Sequence, residues 1–241
     1  MIGALAFLTV LGRGRTPSPA QQRWFPAVGA SIGALVGLVW WGASQWWPPA
    51  VAAALAVLAD LLITGLLHVD GLADSADGLL PHLDRQRRLE VMRAPDTGAF
   101  GVAVVAIALI MRWATMASIG LGGAQVVAAT AGLWALSRGL MAVAMNVLPY
   151  ARPTGLGAMF ASQSRASTVV VGVSAVLLGG AGTMLGRGAV AGAVVALIAT
   201  AGGVGVLALA KRRIGGYTGD VLGAAGIVLE VVGLVALSAR P

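Results

Sequence analysis

The chain has 241 residues, 58% of them hydrophobic and only 10% charged, with a mean hydropathy of +0.89. That balance excludes an ordinary soluble domain and places the chain among integral membrane proteins, while the absence of cysteine excludes disulfides and thiolate metal sites. The net charge of +7 does not call for a nucleic-acid partner, because the cations follow a topological pattern described below.

Residues 1 to 24 open with an apolar segment too short to span a bilayer, followed by Arg13, Arg15 and Arg23 with Pro17 and Pro19 between them. Cations after the apolar run reverse the order of a secretory signal peptide, so no cleavage is expected. Spans of about 20 residues fit 25–47, 50–68, 99–119, 125–148, 168–186, 188–209 and 219–238. Tryptophans at 40, 41, 46 and 47 mark the far end of the first span, where amphipathic rings favour the lipid–water boundary. The sequence thus predicts an all-α polytopic membrane protein with about seven transmembrane helices, a short interfacial N-terminal segment and one domain over 1–241.

Alternate loops carry Arg13, Arg15 and Arg23, then Arg85, Arg87, Arg88 and Arg93, then Arg152 and Arg165, then Lys211, Arg212 and Arg213. These are twelve of the 16 basic residues, and the opposite loops hold only Arg187 and Arg240. Short cytoplasmic loops carry the Lys and Arg excess, which predicts a cytoplasmic N-terminus and an outside C-terminus in the inner membrane. Every strongly polar segment then falls on the cytoplasmic face.

The stretch HVDGLADSADG, from His68 to Gly78, follows the second span. If it is helical, offsets of four and seven put Asp70, Asp74 and Asp77 on one face. Three carboxylates so close repel unless solvated, partly protonated or neutralised by a cation, and oxygen ligands suit Mg²⁺ or Mn²⁺ sharing a site with substrate phosphates. A solvated polar face at the membrane edge is the plainer reading, and Gly71 and Gly78 weigh against it, since glycine costs helix stability and permits close backbone approach.

Residues Arg87 to Gly98 read as a short amphipathic helix ending at Pro95, with Leu89 and Met92 on its apolar side, and serve equally as a headgroup-binding surface. In KRRIGGYTGD, Lys211 to Arg213 precede Gly215 and Gly216, whose freed N–H groups are positioned to form an anion nest before Asp220 at a helix start. A topogenic basic anchor followed by a helix cap explains the same residues. Arg138 and Glu230 lie inside spans, where charge is costly and marks function or a structural pair, Glu230 with Arg138 or Arg112. No role is read for Asp60 or Asp96. His68 orients an aspartate or phosphate, or simply bonds a helix end.

Taken together, HVDGLADSADG, the set Arg87, Leu89, Met92, Gly98 and Gly101, the triplet Ser137–Gly139, Tyr150–Arg152 with Gly155–Gly157, and Gly215–Ala224 resemble the cobalamin synthase family of adenosylcobinamide-GDP ribazoletransferases. The resemblance covers nearly the whole chain. It implies joining of adenosylcobinamide-GDP to α-ribazole, or its 5′-phosphate, with release of GMP. It implies Mg²⁺ on Asp70, Asp74 and Asp77, proton transfer by Asp74, Asp77 or Asp220, and substrate binding by His68, Arg93, Arg138, Arg152, Lys211, Arg212, Gly215 and Gly216. The bilayer is the other partner, and a homo-oligomer is compatible with the sequence without being specified by it.

Two other classes are weighed beside it. A CDP-alcohol phosphotransferase also uses a DGxxAR-type start, but Asp74 stands where its arginine belongs and the later GxxxDxxxD is absent. A transporter would gather its charges at the midplane, whereas here they collect at one face.

Overall fold

The computed structural model describes residues 1–11, 18–152 and 165–239, so Arg13, Arg15, Arg240 and the Gly155–Gly157 motif lie outside the described residues. Among the described residues ten α-helices follow one another: α1 Ile2–Leu8, α2 Phe25–Ser44, α3 Pro49–Thr64, α4 Leu67–Leu79, α5 Arg85–Val91, α6 Ala99–Ser118, α7 Gly123–Val147, α8 Arg165–Arg187, α9 Ala189–Ile214 and α10 Gly219–Ser238. A 3-10 turn at Pro19–Trp24 runs straight into α2. Among the described residues there is no strand, only a single bridge pairing Tyr150 with Tyr217.

Among the described residues six helices are long and apolar enough to cross a membrane, and the α3–α4 pair makes a seventh crossing if counted as one. The protein is therefore an all-α polytopic membrane protein, with helices where the hydropathy places them. The second crossing differs in one respect. Pro49 opens α3, and the helix ends at Gly65, whose φ of 59° lets the N–H of Leu66 close back onto the carbonyl of Leu61. Leu66 is also left-handed, and α4 leaves at 89° to α3. We read α4, the aspartate helix, as lying beyond the crossing. The Val10 N–H donates to Ile63 at this corner, tying the N-terminal segment to it.

The tightest helix contact follows from small residues at four-residue spacing. Gly29, Gly33 and Gly37 form a stripe on α2 that presses on Val127, Thr130 and Trp134 of α7; a Cβ at Gly33 would stand 2.8 Å from that of Trp134. The core includes Phe25, Ile32, Leu133, Trp134, Leu229 and Leu234. Trp41, Trp46 and Trp47 are exposed as expected at an interface, but Trp40 is buried, because its position on α2 turns it inward.

The charged segment after α4 is more compact than its pattern predicts. Its helix, α5, is only Arg85–Val91, opened by the Asp84 side chain accepting the Arg87 N–H at 2.9 Å. Arg88 turns inward to donate to the carbonyls of Gly78 and Leu79, capping the end of α4, while Met92 packs over Gly78. The segment is thus folded against the aspartate helix through Arg88 and Met92.

Candidate active site

The aspartate stretch is helical, so Asp70, Asp74 and Asp77 do share a face, graded from exposed Asp70 through half-buried Asp74 to buried Asp77. Their surroundings then separate them. Both oxygens of Asp77 accept backbone N–H groups at the start of α6, from Gly98 at 2.7 Å and Gly101 at 2.9 Å. A helix start presents unpaired N–H groups and a positive dipole end, so a carboxylate there is a cap. The two glycines make room for it: a Cβ at Gly98 or Gly101 would stand 2.6 or 2.5 Å from an Asp77 oxygen.

Asp74 has different company. Gly71 lets α4 touch α10 backbone to backbone, since a Cβ there would be 2.8 Å from the Asp220 carbonyl oxygen. Partial burial, with Asp220 and then Asp70 nearby, pushes the Asp74 carboxyl up to about 6, against the pull of Arg152. The expected three-carboxylate cluster does not form as a unit: among the described residues no three His, Asp or Glu side chains are grouped to hold one ion.

The opposing charge arrives from two distant loops joined to each other. The Tyr217 N–H donates to Pro149 at 3.0 Å and the Ala151 N–H to Tyr217 at 2.8 Å, which registers the end of α7 against the start of α10. Arg152 thereby reaches Asp220, with its Nη2 2.8 Å from Oδ2, and also donates to the Met92 carbonyl. Its buried Nε has no hydrogen-bond partner among the described residues. Arg85 braces the junction by donating to the carbonyls of Ile214 and Ala151. Beside it opens a cavity of about 560 Å³ whose walls include Arg85, Arg93, Arg152, Glu90, Leu89 and Tyr150.

The structure therefore sets Asp74 within electrostatic reach of Asp220, Asp70 and Asp77, pairs Asp220 with Arg152, sets Arg93 on the neighbouring cavity wall, and has Asp77 capping α6. Buried His68 lies against Gly223 of α10, with Nδ1 unpartnered, two residues before Asp70. Lys211 and Arg212 are exposed on the last turn of α9. In the glycine pair the Gly215 N–H is used to cap α9 through Lys211, with φ of 82°, and Gly216 is pressed onto the Pro149 backbone beside the bridge.

Arg138 belongs to a different constellation. It is fully buried, and its Nη1 bonds Glu230 at 2.5 Å and Ser137 at 2.6 Å. Glu230 also takes Arg112 at 2.5 Å, and Arg112 takes Asp60 at 2.8 Å, whose other oxygen accepts the Trp134 indole N–H. Two carboxylates and two guanidiniums thus close a neutral network across α3, α6, α7 and α10. Of the pairings expected for Glu230, both are present. Asp60 went unassigned, although a carboxylate in an apolar run is itself a signal. Arg85 was missed as well. A cation in the first turn of a helix opposes the dipole, which hints that it is held there for another purpose.

A helical membrane protein with carboxylates facing arginines at the ends of its helices has the makings of a phosphoryl-transfer enzyme. The profile of the CobS family, cobalamin-5-phosphate synthase, matches residues 1–238. Curated relatives include adenosylcobinamide-GDP ribazoletransferases of Shigella flexneri, 37% identical over 216 residues, and Escherichia coli K12, 36% identical over 216 residues. Each alignment covers 88% of this chain and 85% of the relative. The chain belongs to the cobalamin-5-phosphate synthase family and is a transferase of cobalamin synthesis. No solved structure matches it significantly.

Proposed function

We propose that the protein joins adenosylcobinamide-GDP to α-ribazole, or to its 5′-phosphate, and releases GMP. A ribazole hydroxyl oxygen attacks the phosphorus on the corrinoid side of the pyrophosphate. The P–O bond to the guanosine phosphate breaks, GMP leaves with the electron pair, and the hydroxyl proton passes to a carboxylate. Reactions of this kind depend on positioning and charge neutralisation more than on covalent help from the protein.

The observation that carries this reading is Asp74 crowded by Asp70 and Asp220, with Arg152 brought in from a second loop. The donor set fits Mg²⁺, which is commonly held by one or two carboxylates together with substrate phosphates. Asp70 and Asp74 would hold it, and when bound it neutralises charge on the pyrophosphate. Arg152 offers its buried, unpartnered Nε to a phosphate oxygen. Asp220 is suited to take the proton: Arg152 and the Thr218 hydroxyl both bond its Oδ2, which leaves Oδ1 open. The arginine pattern supports an inner-membrane location with the site and N-terminus cytoplasmic and the C-terminus outside.

The test is turnover by the purified protein in detergent, supplied with adenosylcobinamide-GDP and either form of ribazole, with Mg²⁺ or EDTA. Corrinoid product and GMP appearing together, only with Mg²⁺, is the expected result. A folded preparation that yields neither product from either acceptor removes the reading.

A further inference from the structure

The cavity beside α5 is built for a particular ligand. Three guanidiniums, from Arg85, Arg93 and Arg152, stand on its walls against one carboxylate, Glu90, so the lining carries excess positive charge. Arg85 donates to the carbonyls of Ile214 and Ala151, which carry no formal charge. Tyr150 supplies an aromatic wall whose ring is held edge-on by Tyr217, 5.3 Å away between centroids. Glu90 is half exposed and makes only long bonds, both 3.2 Å, to Gln86 and Arg87. A carboxylate has four acceptor positions, so it keeps capacity for a ligand.

We propose that this cavity holds the guanosine 5′-phosphate portion of the nucleotide-activated donor, with the arginines toward its phosphate, Tyr150 against the base and Glu90 accepting from N1–H and the 2-amino group. The inference rests on the transferase reading. Arginine suits phosphate through its forked donors, and bases stack on aromatic faces. The volume lies within the range of small-molecule pockets, about 300 to 1,000 Å³, and is too small for a corrin with its side chains. The benzimidazole of ribazole offers no N–H for Glu90, whereas guanine presents two adjacent donors on one edge. The placement is also continuous with the chemistry: Arg152 lines the cavity and bonds Asp220, so the leaving phosphate sits beside the reacting carboxylates.

The experiment measures inhibition and equilibrium binding of GMP and IMP on the full chain in detergent, with turnover of the intact donor followed in parallel. IMP lacks only the 2-amino group. The expected result is competition by GMP against the donor, with GMP roughly tenfold or more tighter than IMP, as a site built to pair a donor group rejects the analogue lacking it. Glu90→Ala should bring the two nucleotides to within about threefold by weakening GMP more than IMP, which loses only the N1–H contact, and Tyr150→Ala should weaken both alike. Unchanged thermal unfolding of Glu90→Ala verifies the fold. Turnover accompanied by no GMP competition, by equal affinity for GMP and IMP, or by an unchanged ratio in Glu90→Ala overturns the inference and leaves the transferase standing. Loss of all donor turnover in wild-type protein overturns both.

Discussion

Two charged regions of this molecule use the same residue types to opposite ends. In the core, Asp60, Arg112, Glu230 and Arg138 close on one another, each next to a group of opposite sign and sealed from solvent. At the ends of the helices, Asp70, Asp74 and Asp220 crowd together with Arg152 as the nearest counter-charge, partly open to water. The first arrangement is balanced in charge, although the buried Nε of Arg138 has no hydrogen-bond partner among the described residues. The second is unbalanced, and its imbalance is what a cation and a pyrophosphate would correct. Charge balance is thus a guide to role: charges matched by opposite charge hold helices together, and an unmatched surplus marks the candidate for a ligand site.

The sharpest way to break the contrast is Glu230→Ala, which strands two buried guanidiniums. Removing one partner of a buried pair costs about 3 to 5 kcal/mol, so a large drop in the thermal unfolding temperature in detergent is expected, whatever happens to turnover. Asp74→Asn should do the reverse. It removes repulsion, so stability holds or rises, while Mg²⁺-dependent turnover falls by roughly 100-fold or more, the rate equivalent of several kcal/mol of lost charge stabilisation. A stable protein with full turnover would end the assignment of Asp74.

Asp77 tests the boundary between the two regions. Asp77→Ala removes the cap of α6 and should cost about 0.5 to 2 kcal/mol by the usual range for capping side chains, measured as a shift in thermal unfolding. Mg²⁺ affinity in the substrate-free protein should change far less than in Asp74→Asn.

A pH series gives a smaller effect. The Asp74 carboxyl is raised to about 6 from its ordinary 3.8. It is therefore protonated below about 6 in the substrate-free, metal-free protein, and Mg²⁺ must displace that proton. Affinity for Mg²⁺ should fall by up to about tenfold per pH unit below 6 and level off above it, with proton release visible by calorimetry in buffers of different ionisation enthalpy. The sign for stability is opposite: the folded state holds this proton more tightly than the unfolded chain, so the contribution is present below 3.8 and lost as pH rises through 6. Smallest of all, Arg87→Ala breaks an exposed pair to Glu90 at 3.2 Å and should alter stability by less than about 1 kcal/mol.

Much of this was legible in the sequence because it is local. The six long apolar helices follow from apolar run length, and the shared face of Asp70, Asp74 and Asp77 from helical spacing. What the sequence left open depends on partners far along the chain. Asp77 looks like its two neighbours until Gly98 and Gly101, 21 and 24 residues away, present their N–H groups. Gly215 and Gly216 read equally well as an anion nest or a turn, and the Pro149 backbone decides for the turn. Arg138 fits a phosphate as well as it fits Glu230, and only packing of α7 on α10 chooses. Arg85 looked like one of several surface cations because its acceptors, Ala151 and Ile214, lie 66 and 129 residues away.

The position of Glu230 on the last helix has a consequence for how the protein is made. Arg138 precedes its partner by 92 residues and Arg112 precedes the same carboxylate by 118. At synthesis rates of about 5 to 20 residues per second, the ribosome delivers that carboxylate roughly 5 to 25 seconds after the arginines. During that interval Arg112 has Asp60 to lean on, and Arg138 has only a hydroxyl. The final helix also brings Asp220. Its insertion is therefore the step that neutralises the interior and completes the proposed site at once, so a chain that stalls before residue 217 is expected to be both less stable in the bilayer and inert.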